Sequence, residues 1–101
     1  MRTRGGRQLD TVTIEHIPGS AFHAHAAGDR GVLEYRLCGG RMEITHTFVP
    51  SSLRGRGLAG RLVRAALDHA RAQRLEVVPS CPYAADWIDG HPAYADLVAT
   101  P

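Results

Sequence analysis

Apolar and polar positions alternate through the first half of the chain, and the period changes abruptly near residue 58. Val12-Thr13-Ile14-Glu15-His16 alternates strictly, the signature of a half-buried strand, and Pro18-Gly19 then breaks it with a turn. Ala21 to Ala26 is a weaker run that Gly28-Asp29 ends. Val32 to Cys38 alternates again, with Leu33, Tyr35 and Leu37 on one face and Glu34 and Arg36 on the other. Gly39-Gly40 is a strong hairpin signal. Arg41 to Val49 forms the fourth strand, and simple alternation puts Met42, Ile44, His46 and Phe48 on one side. From Leu58 the apolar residues Leu62, Ala65, Ala66, Leu67 and Ala70 recur at helical spacing, which predicts a helix to about Gln73. Leu75 to Val78 is almost entirely apolar and reads as a central strand covered on both faces. Short helical pieces follow at Ala84–Asp89 and Pro92–Leu97.

These elements predict an α/β (α+β) domain, with a mixed and mostly antiparallel sheet, one main helix and short C-terminal helices. The strand–helix–strand segment from Arg41 to Val78 should form a right-handed parallel crossover. At 101 residues the chain has room for one such domain, placed at 11–98, behind a basic leader at 1–10 expected to be disordered. That leader carries no apolar segment of signal-peptide kind, and no apolar run approaches a membrane span. Two cysteines are too few for a disulfide framework, so a cytoplasmic location is expected. The formal charge of +2 and the scarcity of aromatics argue against a nucleic-acid partner. Every one of the 12 basic residues is arginine, so side-chain lysine acetylation would have to fall on another molecule.

The most informative segment is Leu53-Arg54-Gly55-Arg56-Gly57-Leu58-Ala59-Gly60, which joins a strand to the main helix. The first turn of a helix offers unpaired N–H groups and the positive end of the macrodipole, which together favour a phosphate. Gly55 and Gly57 let oxygens approach the backbone, and Arg54, Arg56, Arg61 and Arg64 surround this end with guanidinium groups. The segment lacks the Lys-Ser/Thr pair of a Walker loop, and its glycines do not follow the dinucleotide fingerprint.

Arg54-x-x-Gly57-x-Ala59 at the head of a helix resembles the acetyl-CoA motif of GNAT acetyltransferases. Its neighbours are Thr45-His46-Thr47-Phe48-Val49-Pro50, Val77-Val78-Pro79-Ser80-Cys81-Pro82-Tyr83 and His91-Pro92-Ala93-Tyr94. In that order the chain is similar to a small GNAT-like family of roughly 90–100 residues. The resemblance implies that acetyl-CoA (CoA) lies where two parallel strands, Arg41–Val49 and Leu75–Val78, splay apart. Phe48 and Val49 would pair with the pantetheine arm. Arg54, Gly55, Arg56, Gly57, Leu58, Ala59 and Gly60 would hold the pyrophosphate. A bulge commonly interrupts the first of these strands in the family, and would shift the faces of His46 to Val49 by one. Larger members insert two helices after their first strand to build the acceptor pocket. Here only Pro18-Gly19-Ser20 separates the first two strands, so the acceptor side is open or closed by a protein partner.

Cys81, fixed between Pro79 and Pro82, is the candidate for the reacting thioester, either accepting the acetyl group or protonating the departing thiolate. His46, on the neighbouring strand, is the candidate general base and partner of Cys81. Tyr83, Tyr94 and His91 are expected to pack or cap. No metal is expected, because His23-x-His25 shares a strand face without a nearby carboxylate or third ligand in sequence. The function that follows is acetyl-CoA-dependent acyl transfer, N-acetylation of an acceptor amine that the sequence does not identify. The alternative is a CoA-binding sensor or interaction module without transferase activity.

Overall fold

A computed structural model describes residues 11–99 of the chain, so the leader expected at 1–10 lies outside the described residues. Five strands form one sheet in sequence order: β1 (Thr13–Ile17), β2 (Ala21–Ala26), β3 (Asp29–Cys38), β4 (Arg41–Phe48) and β5 (Glu76–Pro79). The first four are antiparallel, and β5 joins β4 in parallel after the helix α1 (Leu58–Ala72). A short helix, α2 (Pro82–Asp89), and 3-10 turns at Ser51–Leu53 and Pro92–Leu97 complete it. The strand order places β5 at the sheet edge, which corrects the expectation of a central strand. Its apolar run is explained by Val77, fully buried beneath α1 and bridged on its outer side to Val98.

One face of the sheet carries α1, which buries Leu58, Leu62, Val63, Ala66, Leu67 and Ala70. The opposing surface has small residues where the helix comes closest. Ala24 pairs with Gly31, and a Cβ on Gly31 would lie 3.4 Å from Leu62 Cδ1 and 3.2 Å from Val49 Cγ2. The helix ends in a Schellman arrangement. Arg74 takes the left-handed conformation (φ 58°), and the N–H of Leu75 returns to the Ala70 carbonyl at 2.8 Å. Leu37 continues the apolar alternation of β3 yet is 49% exposed.

At the β1 end, polar groups are built into the edge of the core. The buried Tyr35 hydroxyl accepts a hydrogen bond from Gly19 N–H at 2.9 Å and lies 2.6 Å from His16 Nε2. His16 stacks flat on Phe22 at 4.2 Å and meets His69 of α1 edge-on at 4.4 Å. Burial, and then the charge of His69, hold the His16 pKa below its ordinary value of 6.5. The unfolded chain therefore takes up a proton near pH 6.5 that the folded chain resists, so stability is lost as pH falls through and below that value. Melting temperatures at pH 8 and pH 5.5 should show this drop, and His16→Gln should shrink it.

Candidate functional site

The site begins with a break in β4. Tyr35 pairs with Ile44 and Glu34 with His46, leaving Thr45 as an extra residue, its hydroxyl bonded to the Glu34 carbonyl at 3.3 Å. The extra residue reverses the alternation beyond it. Thr47 now shares the core face with Ile44, whereas His46 and Phe48 are exposed. This corrects the simple alternation, which put His46 and Phe48 beside Met42 and Ile44. The pairing of β4 with β5 ends at Ile44 and Pro79, one residue before the bulge. From Thr45 onward β4 pairs with β3 alone among the described strands, and β5 gives way after Pro79 to the turn that carries Cys81.

Cys81 is buried against β4 at that point, within the core. Its N–H donates to the Ile44 carbonyl at 3.0 Å, and its Sγ is 3.6 Å from Thr47 Oγ1. It also occupies the N-cap position of α2, with Pro82 opening the helix. Burial pushes the thiol pKa up. The N–H of Ala84, the Thr47 hydroxyl and the N–H groups of Tyr83 and Thr47 outweigh it and leave the thiol below its ordinary value of 9.0. The sequence named a histidine for this task. The bulge supplies Thr47 instead, and the helix N-terminus supplies the rest.

Beyond Phe48, the turn after β4 hangs between two buried anchors, Leu53 and Leu58. Arg54 Nε donates to the Val49 carbonyl at 3.1 Å and Ser52 Oγ to Asp29 at 2.9 Å, tying the turn to β4 and β3. Gly55 (φ 83°) and Gly57 (φ 73°) are left-handed, and a Cβ on either would meet no protein atom within 4 Å. Arg61 N–H makes the first helical bond, to Gly57 O at 3.1 Å. The N–H groups of Leu58, Ala59 and Gly60 thus precede the ladder, with no capping side chain and no acidic residue in the first turn. The result is a concavity of about 210 Å³ lined by Val49, Arg54, Gly55, Gly57, Ala59 and Tyr83. Its size and donor set suit a diphosphate; Val49 lines it, and the exposed Phe48 precedes it at the end of β4.

The remaining candidates separate. Gly60 faces α2, since a Cβ there would lie 3.0 Å from Trp87 Nε1. Arg64 covers the Trp87 and Tyr94 rings at 5.4 and 5.9 Å, directed toward the C-terminal turn. Tyr94 bonds Asp68 at 2.9 Å, and His91 stacks on Trp87 while its Nδ1 meets the Trp87 carbonyl at 2.6 Å, so both act in packing and capping. Tyr83 is 42% exposed at the rim of the concavity. A larger hollow of about 830 Å³ lies at the β3–β4 hairpin, at the opposite end of β4. Its charges pair with one another, Arg36 with Glu43 at 2.7 Å and Arg41 with Glu76 at 3.1 Å.

A family model described as GCN5-related N-acetyl-transferase matches residues 21–97. The chain is 38% identical to Protein NATD1 of Gallus gallus over 65 residues, covering 63% of this chain and 59% of that protein. Protein NATD1 of Homo sapiens matches equally well, with 58% of its length covered, so the chain spans under two thirds of either relative. With Protein NATD1 of Danio rerio the identity is 32% over 81 residues, 77% of this chain and 74% of that protein. The NMR solution structure of a GCN5-like protein from Staphylococcus aureus superposes with a TM-score of 0.70 at 24% identity. It covers 93% of this chain and 91% of that one, which establishes a shared fold.

Proposed function

Because the chain belongs to the GCN5-related N-acetyl-transferase family, we propose that it binds acetyl-CoA in the gap between β4 and β5 and transfers the acetyl group to an amine. The observation that carries this reading is the bulge at Thr45. The β4–β5 pairing ends just before it, Cys81 with its lowered pKa lies beside Thr47 beyond it, and an uncapped helix N-terminus follows the strand.

The N–H groups from Arg56 to Gly60 would hold the pyrophosphate, and the exposed edge at Phe48 and Val49 would align the pantetheine arm. Acetyl-CoA supplies an activated thioester there. The Cys81 sulfur, favoured as thiolate by its hydrogen bonds, attacks the carbonyl carbon, and the bond to the CoA sulfur breaks. CoA leaves as a thiolate and takes up the proton given up by Cys81. The acceptor amine then attacks acetyl-Cys81 and restores the thiol. His46 is exposed on the face of β4 opposite Thr47 and Cys81, so water takes the proton from the attacking amine. The short turn at Pro18–Ser20 leaves the acceptor side unwalled by β1 and β2, which supports a large or protein-borne acceptor. The same openness is what favours the second reading, a CoA-binding module that transfers nothing.

Thermal unfolding with acetyl-CoA tests the binding step. At ligand near 100 times Kd, linkage predicts stabilisation by about 2.7 kcal/mol. For a domain this size that raises Tm by on the order of 10 °C or more. An equal shift with ATP would reduce the Arg54–Gly60 turn to a general anion site. Free CoA released on adding amines separates transferase from binding module.

A further inference from the structure

A second cluster of reactive side chains lies on the sheet face opposite α1, on the two strands farthest from the acetyl-CoA gap. His23 and His25 are two residues apart on β2 and so point to one face, and the β1–β2 register sets Glu15 directly across from His23. Glu15 Oε1 is 2.8 Å from His25 Nε2 and 3.9 Å from His23 Nδ1, and one donor atom from each residue lies within 4.8 Å of the other two. The carboxylate missing from the sequence neighbourhood of His23-x-His25 is therefore supplied by the adjacent strand. We propose that Glu15, His23 and His25 form a binding site for a divalent transition-metal ion, separate from the acetyl-CoA site.

The donor set of two imidazoles and one carboxylate suits Zn²⁺, Ni²⁺ or Cu²⁺ better than Mg²⁺ or Ca²⁺, which prefer oxygen alone. Donors around a tetrahedral ion at about 2.1 Å sit roughly 3.4 Å apart, so closing the present triangle takes rotamer adjustment and no backbone shift. The backbone is already fixed by the β1–β2 ladder, and only the side chains need ordering. His23 is well shielded, with 18% of its side chain exposed, whereas His25 (40%) and Glu15 (52%) leave the remaining coordination positions open to water or another ligand. Among the described residues Arg30, paired opposite His25 on β3, is a nearby positive charge acting on Glu15, and it opposes the ion. A bound ion would cross-link β1, an edge strand, to β2.

The test is calorimetric titration of the chelator-treated, tag-free full chain with ZnCl₂, followed by NMR of the histidine ring protons. One ion should bind per chain and should move the His23 and His25 signals, with Tm raised. His23→Gln and His25→Gln should each weaken binding tenfold or more. The metal-free melting of His25→Gln, at a half-exposed position, should match the parent and so separate lost ligation from lost folding. Glu15→Gln should weaken binding without abolishing it, and Cys38→Ser should leave it unchanged. A dissociation constant above about 1 mM, or binding that survives both histidine replacements, would overturn the proposal. So would binding lost with Cys38→Ser alone.

Discussion

Replacing Gly57 with aspartate should weaken acetyl-CoA binding by about 100-fold, close to 2.8 kcal/mol, while the domain stays folded. Gly57 is left-handed, a conformation that aspartate tolerates better than most residues. Its Cβ would project into open space, so no packing is lost. A carboxylate at the head of α1 is favoured by the helix field, which offsets part of the backbone strain. That same field is what a pyrophosphate would use. The new side chain becomes a built-in competitor that adds like-charge repulsion at the point where the phosphates would sit. Gly57→Ala serves as the control, with the strain but no charge, and should lose far less affinity. Calorimetry with acetyl-CoA, read beside thermal melting, decides it. Unchanged affinity in Gly57→Asp would move the pyrophosphate away from this turn.

Cys81→Ala should lower acetyl transfer by about 100-fold or more and leave acetyl-CoA affinity within about threefold. The sulfur is buried beside Thr47 with hydrogen-bond partners around it, whereas the groups proposed to hold the cofactor's phosphates are on a different element. Loss of the thiol therefore removes the proposed reacting atom and little of the proposed binding surface. Incubating the parent with acetyl-CoA in the absence of amine should leave an acetyl group on Cys81, detectable by peptide mass and absent in the variant. Thr47→Val probes the same thiol less severely. It removes one donor to the sulfur, so the pH at which Cys81 reacts with a thiol reagent should rise. Full activity in Cys81→Ala would mean direct attack by the amine on the thioester, with the cysteine reduced to packing.

The elements and the glycine-rich turn were legible because they depend on short-range pattern. A period of two through Val12–Val49, a period of 3.6 through Leu58–Ala70, and glycines between a strand and a helix are all local signals. Each is set by backbone geometry over a few residues, so the sequence alone determined four antiparallel strands, the crossover through α1 and the Arg54–Gly60 turn. Tertiary structure decided what depends on which strand lies beside which, and in what register. One extra residue at Thr45 turned His46 outward and Thr47 toward Cys81, reversing a face assignment that was sound up to the bulge. Strand order put β5 at an edge that Val98 partly covers. Register brought Glu15 to His23 and His25 across the β1–β2 hairpin, and packing of α1 brought His69 to His16. Alternation along one strand fixes the relative faces of its own residues. Pairing between strands is chosen by the burial of the whole sheet, and no single segment contains that information.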